Sequence, residues 1–157
     1  MTDRIYLDTS VLLSAFIGPA EETYEASAAA LASAQSGDFE PVLSALVLSE
    51  AVGAPNIRAV QGISRSECRA KQRKVADFLY GLAALYIEIG ERHGRRAAEL
   101  SMSHDLKGKD ALHLALALES GCTDMFTCDS DLLKIGDSLP GLRVRLPETT
   151  RPQLPLS

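Results

Sequence analysis

At 157 residues, with 46% hydrophobic and 24% charged side chains, the chain can bury a full core unaided, and its composition excludes an intrinsically disordered protein. A formal net charge of −5 excludes gripping nucleic acid through overall positive potential, although it leaves local basic patches open. Cys68, Cys122 and Cys128 are odd in number and lack metal-site spacing, and no apolar run approaches membrane length, so a reduced, cytoplasmic protein without a membrane partner is expected.

The first apolar run, Ile5 to Leu7, reads as a buried strand that ends in Asp8, Thr9 and Ser10. Val11 to Phe16 is apolar nearly all round and stops at Gly18-Pro19, which predicts a short buried helix. Asp8 has two readings: an N-cap for that helix, or a polar group delivered to the carboxyl end of a strand, where open parallel sheets bind ligands. Pro19, Glu21 and Glu22 suit the opening of a second, alanine-rich helix that ends near Ser36-Gly37.

Pro41 to Leu43 predicts the second strand, followed by Ser44 as a cap and a mostly apolar helix over 45–52. Glu50 in that helix either lies on a narrow solvent stripe or points into a polar cleft. The stretch 53–63 reads as a connection, with Pro55 and Gly62 as breakers. Ser64 and Glu67 have capping-box spacing, and Val75, Phe78, Leu79 and Leu82 recur with helical period. The first half of this amphipathic helix carries Arg65, Arg69, Lys71, Arg73 and Lys74, which is either a solvated face or a phosphate-binding one.

A third strand is expected over 85–89 and a helix over 90–105. Alanine and leucine fill 111–118, giving a buried helix with Asp110 at its N-terminus and Gly121 as its stop. Asp110 is either a cap or a ligand, and His113, one turn on, is either a hydrogen-bonded core residue or a second group facing the same cleft. The fourth strand spans 124–128, with Asp129-Ser130-Asp131 at its end serving as a turn, a cap or a site. Residues 142–146 alternate as an edge strand should, and 148–157 form a tail, so that 1–147 is expected to be a single domain.

Strands separated by helices predict an α/β fold, a parallel sheet of about five strands with helices on both faces. In such a sheet the strand carboxyl ends share one edge, where Asp8, Glu50, Asp110 and Asp129 can converge. Two like charges 4 Å apart at an effective dielectric of about 20 repel by on the order of 4 kcal/mol. A converged cluster therefore takes up protons or a cation, and oxygen donors favour Mg²⁺ or Mn²⁺ over zinc. Ser10 and Thr127 are placed to orient the carboxylates or the ion's waters, and Lys107 and Lys109 to hold a substrate backbone.

Four segments, IYLDTSVLLSAF (5–16), PVLSALVLSEAV (41–52), GKDALHLALALESG (108–121) and TCDSDLL (127–133), resemble the PIN-domain family, and specifically its VapC-type toxins of toxin-antitoxin pairs. The resemblance implies a PIN-like α/β/α sandwich and a metal-dependent endoribonuclease that leaves a 3′-hydroxyl and a 5′-phosphate. It also implies metal-binding catalytic acids at Asp8, Glu50, Asp110 and Asp129, with Asp131 as an accessory ligand. A homodimer and a small antitoxin whose arm occupies the cleft are implied as well. The rival from another class is a catalytically silent binding module that keeps the fold and works through protein or RNA partners. A haloacid-dehalogenase-type phosphatase ranks lower, because it usually needs a second Asp where this chain has Ser10.

Overall fold

A computed structural model describes residues 2–147 of the chain; the expected tail, 148–157, lies outside the described residues. In order, the elements are β1 Arg4–Leu7, α1 Thr9–Ile17, α2 Tyr24–Gln35, β2 Glu40–Ser44, α3 Ala45–Gly53, α4 Pro55–Arg58, α5 Arg65–Gly81, β3 Leu85–Ile87, α6 Glu91–His104, α7 Gly108–Glu119, β4 Asp124–Phe126, α8 Ser130–Leu133 and β5 Arg143–Arg145. All strand pairs are parallel, and the sheet order is β3-β2-β1-β4-β5.

That order follows from burial. Ile5, Tyr6 and Leu7 of β1 are all at most 1% exposed, as a central strand covered on both faces requires. From β1 the chain winds outward through β2 to β3, then crosses to the other side of β1 for β4 and β5. Right-handed crossovers therefore put α1 to α5 on one face and α6 to α8 on the other, an α/β/α sandwich. The reversal leaves a crevice between the carboxyl ends of β1 and β4, the topological switch point at which such sheets bind ligands.

Several local expectations change. The second helix begins at Tyr24 rather than near Pro19, because Gly18, at φ 110°, turns the chain and two successive turns occupy the segment before Thr23. The connection over 53–63 contains α4, which Pro55 starts rather than breaks: proline stands at a first-turn position, where its missing N–H costs nothing. The third strand stops at Ile87, and β5 is confined to Arg143–Arg145. The N-cap position of α7 falls on Lys107, so Asp110 lies in the first turn rather than at the cap. Among the described residues, no helix is long and apolar enough to cross a membrane.

Candidate active site

Asp8 occupies the N-cap position of α1, yet its side chain makes no capping bond. Its Oδ2 instead accepts from Ser10 Oγ at 2.6 Å and from Thr127 Oγ1 at 2.8 Å, and the side chain is buried. Thr127 follows β4 directly, and its hydroxyl also accepts from Asp129 N–H at 3.0 Å, while Cys128 N–H donates to Ser10 Oγ at 2.9 Å. The two strand ends are thus stitched together by hydroxyls at the switch point, with Asp8 held in one orientation. The sequence expectation that Ser10 and Thr127 orient a carboxylate describes this geometry.

Glu50, in the second turn of α3, reaches the same crevice. Its Oε1 meets His113 Nε2 at 2.6 Å and Thr9 Oγ1 at 3.4 Å, and its Oε2 lies 3.7 Å from Lys109 Nζ. His113 Nε2 is also 3.6 Å from Asp8 Oδ1, so one imidazole edge spans two of the expected acids. A carboxylate only accepts, so Nε2 carries the proton that is donated to Glu50. On the other side of the ring Nδ1 lies 2.8 Å from Tyr6 Oη, which is 2.9 Å from Ser44 Oγ, so the hydrogen-bonded chain continues into the core. Burial pushes the Tyr6 phenol well above its ordinary range, which keeps it a neutral donor. The chain Ser44, Tyr6, His113, Glu50 fixes the glutamate from inside the core. Burial alone would raise the Glu50 carboxyl, but the His113 hydrogen bond and the charges of His113 and Lys109 outweigh it and hold the group below its usual range.

Asp110, Asp129 and Asp131 each offer a carboxylate oxygen, and these oxygens lie within 4.8 Å of one another. Asp129 Oδ1 accepts from the N–H groups of Asp131 and Leu132 at 2.9 and 3.1 Å, so it caps α8 and belongs to the cluster at once. Asp131 is half exposed and lies 3.5 Å from Lys134. Asp110 is pushed up to about 6 by burial, then by the negative charges of Asp129 and Asp8, against weaker opposing pulls from His113 and Lys107. Three like charges have been brought together here, with an ion pair from the chain, that of Lys134, on Asp131 among the described residues. An all-oxygen donor set with ligand atoms this close fits a hard divalent ion such as Mg²⁺ or Mn²⁺.

The structure therefore collects Asp8, Glu50, Asp110, Asp129 and Asp131 along one sheet edge, in two groups: Glu50 and Asp8 bridged by His113, and the three aspartates at ligand distance. Lys109 reaches Glu50, whereas Lys107 stands at the N-cap position of α7 and acts on Asp110 only through its charge. Of His113's two readings, the structure takes both: it is 2% exposed and hydrogen-bonded, and it faces the cleft. Its three-residue spacing from Asp110 in α7, which stacks the two on one helix face, is the signal for this in the sequence. Tyr6 and Ser44 have no such signal, because both look like ordinary strand residues.

Three solved structures are similar in fold. VapC20 of Mycobacterium tuberculosis, described as a sarcin-ricin loop cleaving toxin, has a similar fold, with a TM-score of 0.62, 18% identity, and 81% of this chain and 91% of that chain covered. A toxin-antitoxin complex from Klebsiella pneumoniae gives 0.58, 19% identity, and 88% and 94% coverage. VapBC2 from Rickettsia felis, bound to a promoter DNA fragment, gives 0.57, 16% identity, and 90% and 96% coverage. At such identities the likeness is one of fold. The comparison with curated proteins found no significant match. The PIN domain model, however, matches residues 5–138, a span that runs from β1 past α8 and takes in every acid of the crevice, and the chain therefore belongs to the PIN domain family.

Proposed function

We infer that the protein is a metal-dependent endoribonuclease, the toxin of a toxin-antitoxin pair, which hydrolyses RNA phosphodiester bonds at the switch-point crevice. The observation that carries this reading is Asp110, a carboxyl raised to about 6 by burial and by Asp129 and Asp8, within ligand distance of Asp129 and Asp131. The clustered carboxylates repel one another, and the donor set suits a divalent cation. PIN-family membership and the toxin complexes among the similar folds support the same reading.

Asp110, Asp129 and Asp131 would hold Mg²⁺ or Mn²⁺, with Asp8 and Glu50 completing the acidic wall. When bound, the ion offsets negative charge on a phosphodiester and makes a water more acidic at neutral pH. The chain's own groups do the rest. Ser10 and Thr127 keep Asp8 in place, and His113, backed by Tyr6, does the same for Glu50. Both carboxylates are thereby ready to orient an attacking water and take its proton. Lys109, exposed at the mouth of the crevice, offers a positive charge to the substrate backbone, and Lys107 a second one.

We propose further that the protein works in the cytoplasm as a homodimer whose activity a small antitoxin blocks by occupying the crevice. The decisive experiment incubates purified protein with RNA and Mg²⁺ or Mn²⁺, alongside Asp8→Asn and Asp110→Asn. Cleavage by the wild type alone is the expected result, and equal cleavage by folded variants would contradict the assignment.

A further inference from the structure

We propose that a pocket between α4 and α5 binds the phosphates of a single-stranded RNA whose neighbouring segment lies over the carboxylate cluster. The inference rests on the ribonuclease reading and extends it to how an acidic protein holds a polyanion.

The charge of the chain is unevenly distributed. Between residues 53 and 75 it carries Arg58, Arg65, Arg69, Lys71, Arg73 and Lys74 against a single carboxylate, Glu67, although the whole protein has a net charge of −5. Glu67 is engaged by the capping box with Ser64. Arg65, Arg69 and Gln72, spaced i, i+4 and i+7, stand on one face of α5, and with Arg58 of α4 they line a pocket of about 550 Å³. Among the described residues, none of these three arginines has a carboxylate partner. Guanidinium groups around one recess repel one another, and their fork geometry matches phosphate oxygens.

The pocket is anchored to the element that carries Glu50. Gln72 Nε2 donates to Val52 O at 2.9 Å, and Arg58 Nε donates to Gly53 O at 2.9 Å, which ties both walls to the carboxyl end of α3. Glu50 precedes Gly53 by about one helical turn, roughly 5 Å. A second recess is lined by Glu50, Lys109, Gly53, Ala54 and Pro55, and Pro55 opens the single turn of α4 that ends at Arg58. A strand that leaves the carboxylates past Lys109 and follows α4 meets the arginines next. No aromatic side chain lines the arginine pocket among the described residues, so an acidic protein segment would find charge there without the buried aromatic anchor typical of protein interfaces.

The test is fluorescence anisotropy of labelled single-stranded RNA with the full chain, in EDTA so that nothing is cut, over 50–200 mM salt. Wild type is compared with Arg65→Gln/Arg69→Gln and with a control of equal charge change, Arg95→Gln/Arg96→Gln on α6. Each phosphate that a single strand no longer has neutralised lowers the slope of log K against log salt by about 0.7, so the double variant should be shallower by about 1.4. The loss should be the same for RNAs of different sequence, and the control should keep the wild-type slope. An unchanged slope in the double variant, or an equal fall in the control, would overturn the proposal. So would loss of binding to a polyglutamate peptide with RNA binding intact, which would assign the pocket to a protein partner. Cleavage with Mg²⁺ or Mn²⁺ is measured separately. A wild type that binds RNA with the steeper slope but never cuts it would support the pocket while removing the ribonuclease reading.

Discussion

The two ends of β4 present acids in opposite circumstances, one buried and one at the half-buried edge of the crevice. At its start Asp124, 2% exposed, is neutralised by the chain itself: Arg143 and Arg145 reach Oδ1 at 3.0 and 2.9 Å, and Thr123 donates to Oδ2 at 2.8 Å. Arg145 also stacks on Phe126, 5.1 Å from the ring centroid, so its position is doubly fixed. Beyond the other end, Asp129 meets Asp110 and Asp131, with Lys134 3.5 Å from Asp131 and Lys107 acting on Asp110 only through its charge. Asp124 carries its cations in the sequence, whereas under the proposed function the Asp129 cluster takes one from outside. Asp124 opens β4 and is buried, whereas Asp129 follows its end by three residues and is half-buried, so partners and exposure differ together.

The largest effect expected from this contrast is on activity. Asp8→Asn or Asp110→Asn should lower RNA cleavage in Mg²⁺ more than about 100-fold while the melting temperature stays near that of wild type, as read by circular dichroism. Asp124→Asn should do the reverse, keeping cleavage per folded molecule but costing about 2 kcal/mol in a urea melt. That is less than the cost of breaking a fully buried pair, because Arg143 and Arg145 are partly in water. If Asp124→Asn matched wild-type stability and Asp110→Asn melted early, the contrast would be broken.

Smaller effects sharpen it. His113→Ala should reduce the cleavage rate by about 10–100-fold, with the Michaelis constant for RNA little changed, because the imidazole holds Glu50 rather than substrate. His113→Gln, which can still donate an N–H to Glu50, should recover part of the loss; equal rates in the two variants would show that the hydrogen bond is idle. The smallest effect is on thermal stability without metal. The Asp110 carboxyl, ordinarily near 3.8, sits at about 6 in the folded protein and so binds its proton more tightly folded than unfolded. Its contribution is full below about 4 and is lost as pH rises through about 6. Metal-free Asp110→Asn should therefore match wild type near pH 4 and melt a few degrees higher at pH 7, by differential scanning fluorimetry.

Much of this was legible in residues 5 to 10, because an apolar run that ends in Asp, Thr and Ser has few meanings once a parallel sheet is inferred around it. Glu50 and Asp129 follow from the same logic of strand ends, although whether side chains at a shared edge touch depends on rotamers that no sequence pattern encodes. The capping role expected as an alternative for Asp129 coexists with its place in the cluster. For Asp8 the two separate: it stands at the cap position and caps nothing. Position in the chain told less than the competition between donors, for Ser10 and Thr127 displace the helix N–H groups. The link from Tyr6 through His113 joins residues 107 apart in sequence, and only the packing of α7 over β1 brings them within hydrogen-bond reach. Helix α4 escaped the reading of 53–63 because Pro55 signals a break and a start equally well.

The central claim is that the crevice acids are a cation site, and the most direct measurement is a calorimetric titration of Mn²⁺ into metal-free protein at pH 7, with wild type and Asp110→Asn side by side. Saturable binding by the wild type that Asp110→Asn abolishes is the predicted result. No binding to the wild type, or the same isotherm for both proteins, would contradict it.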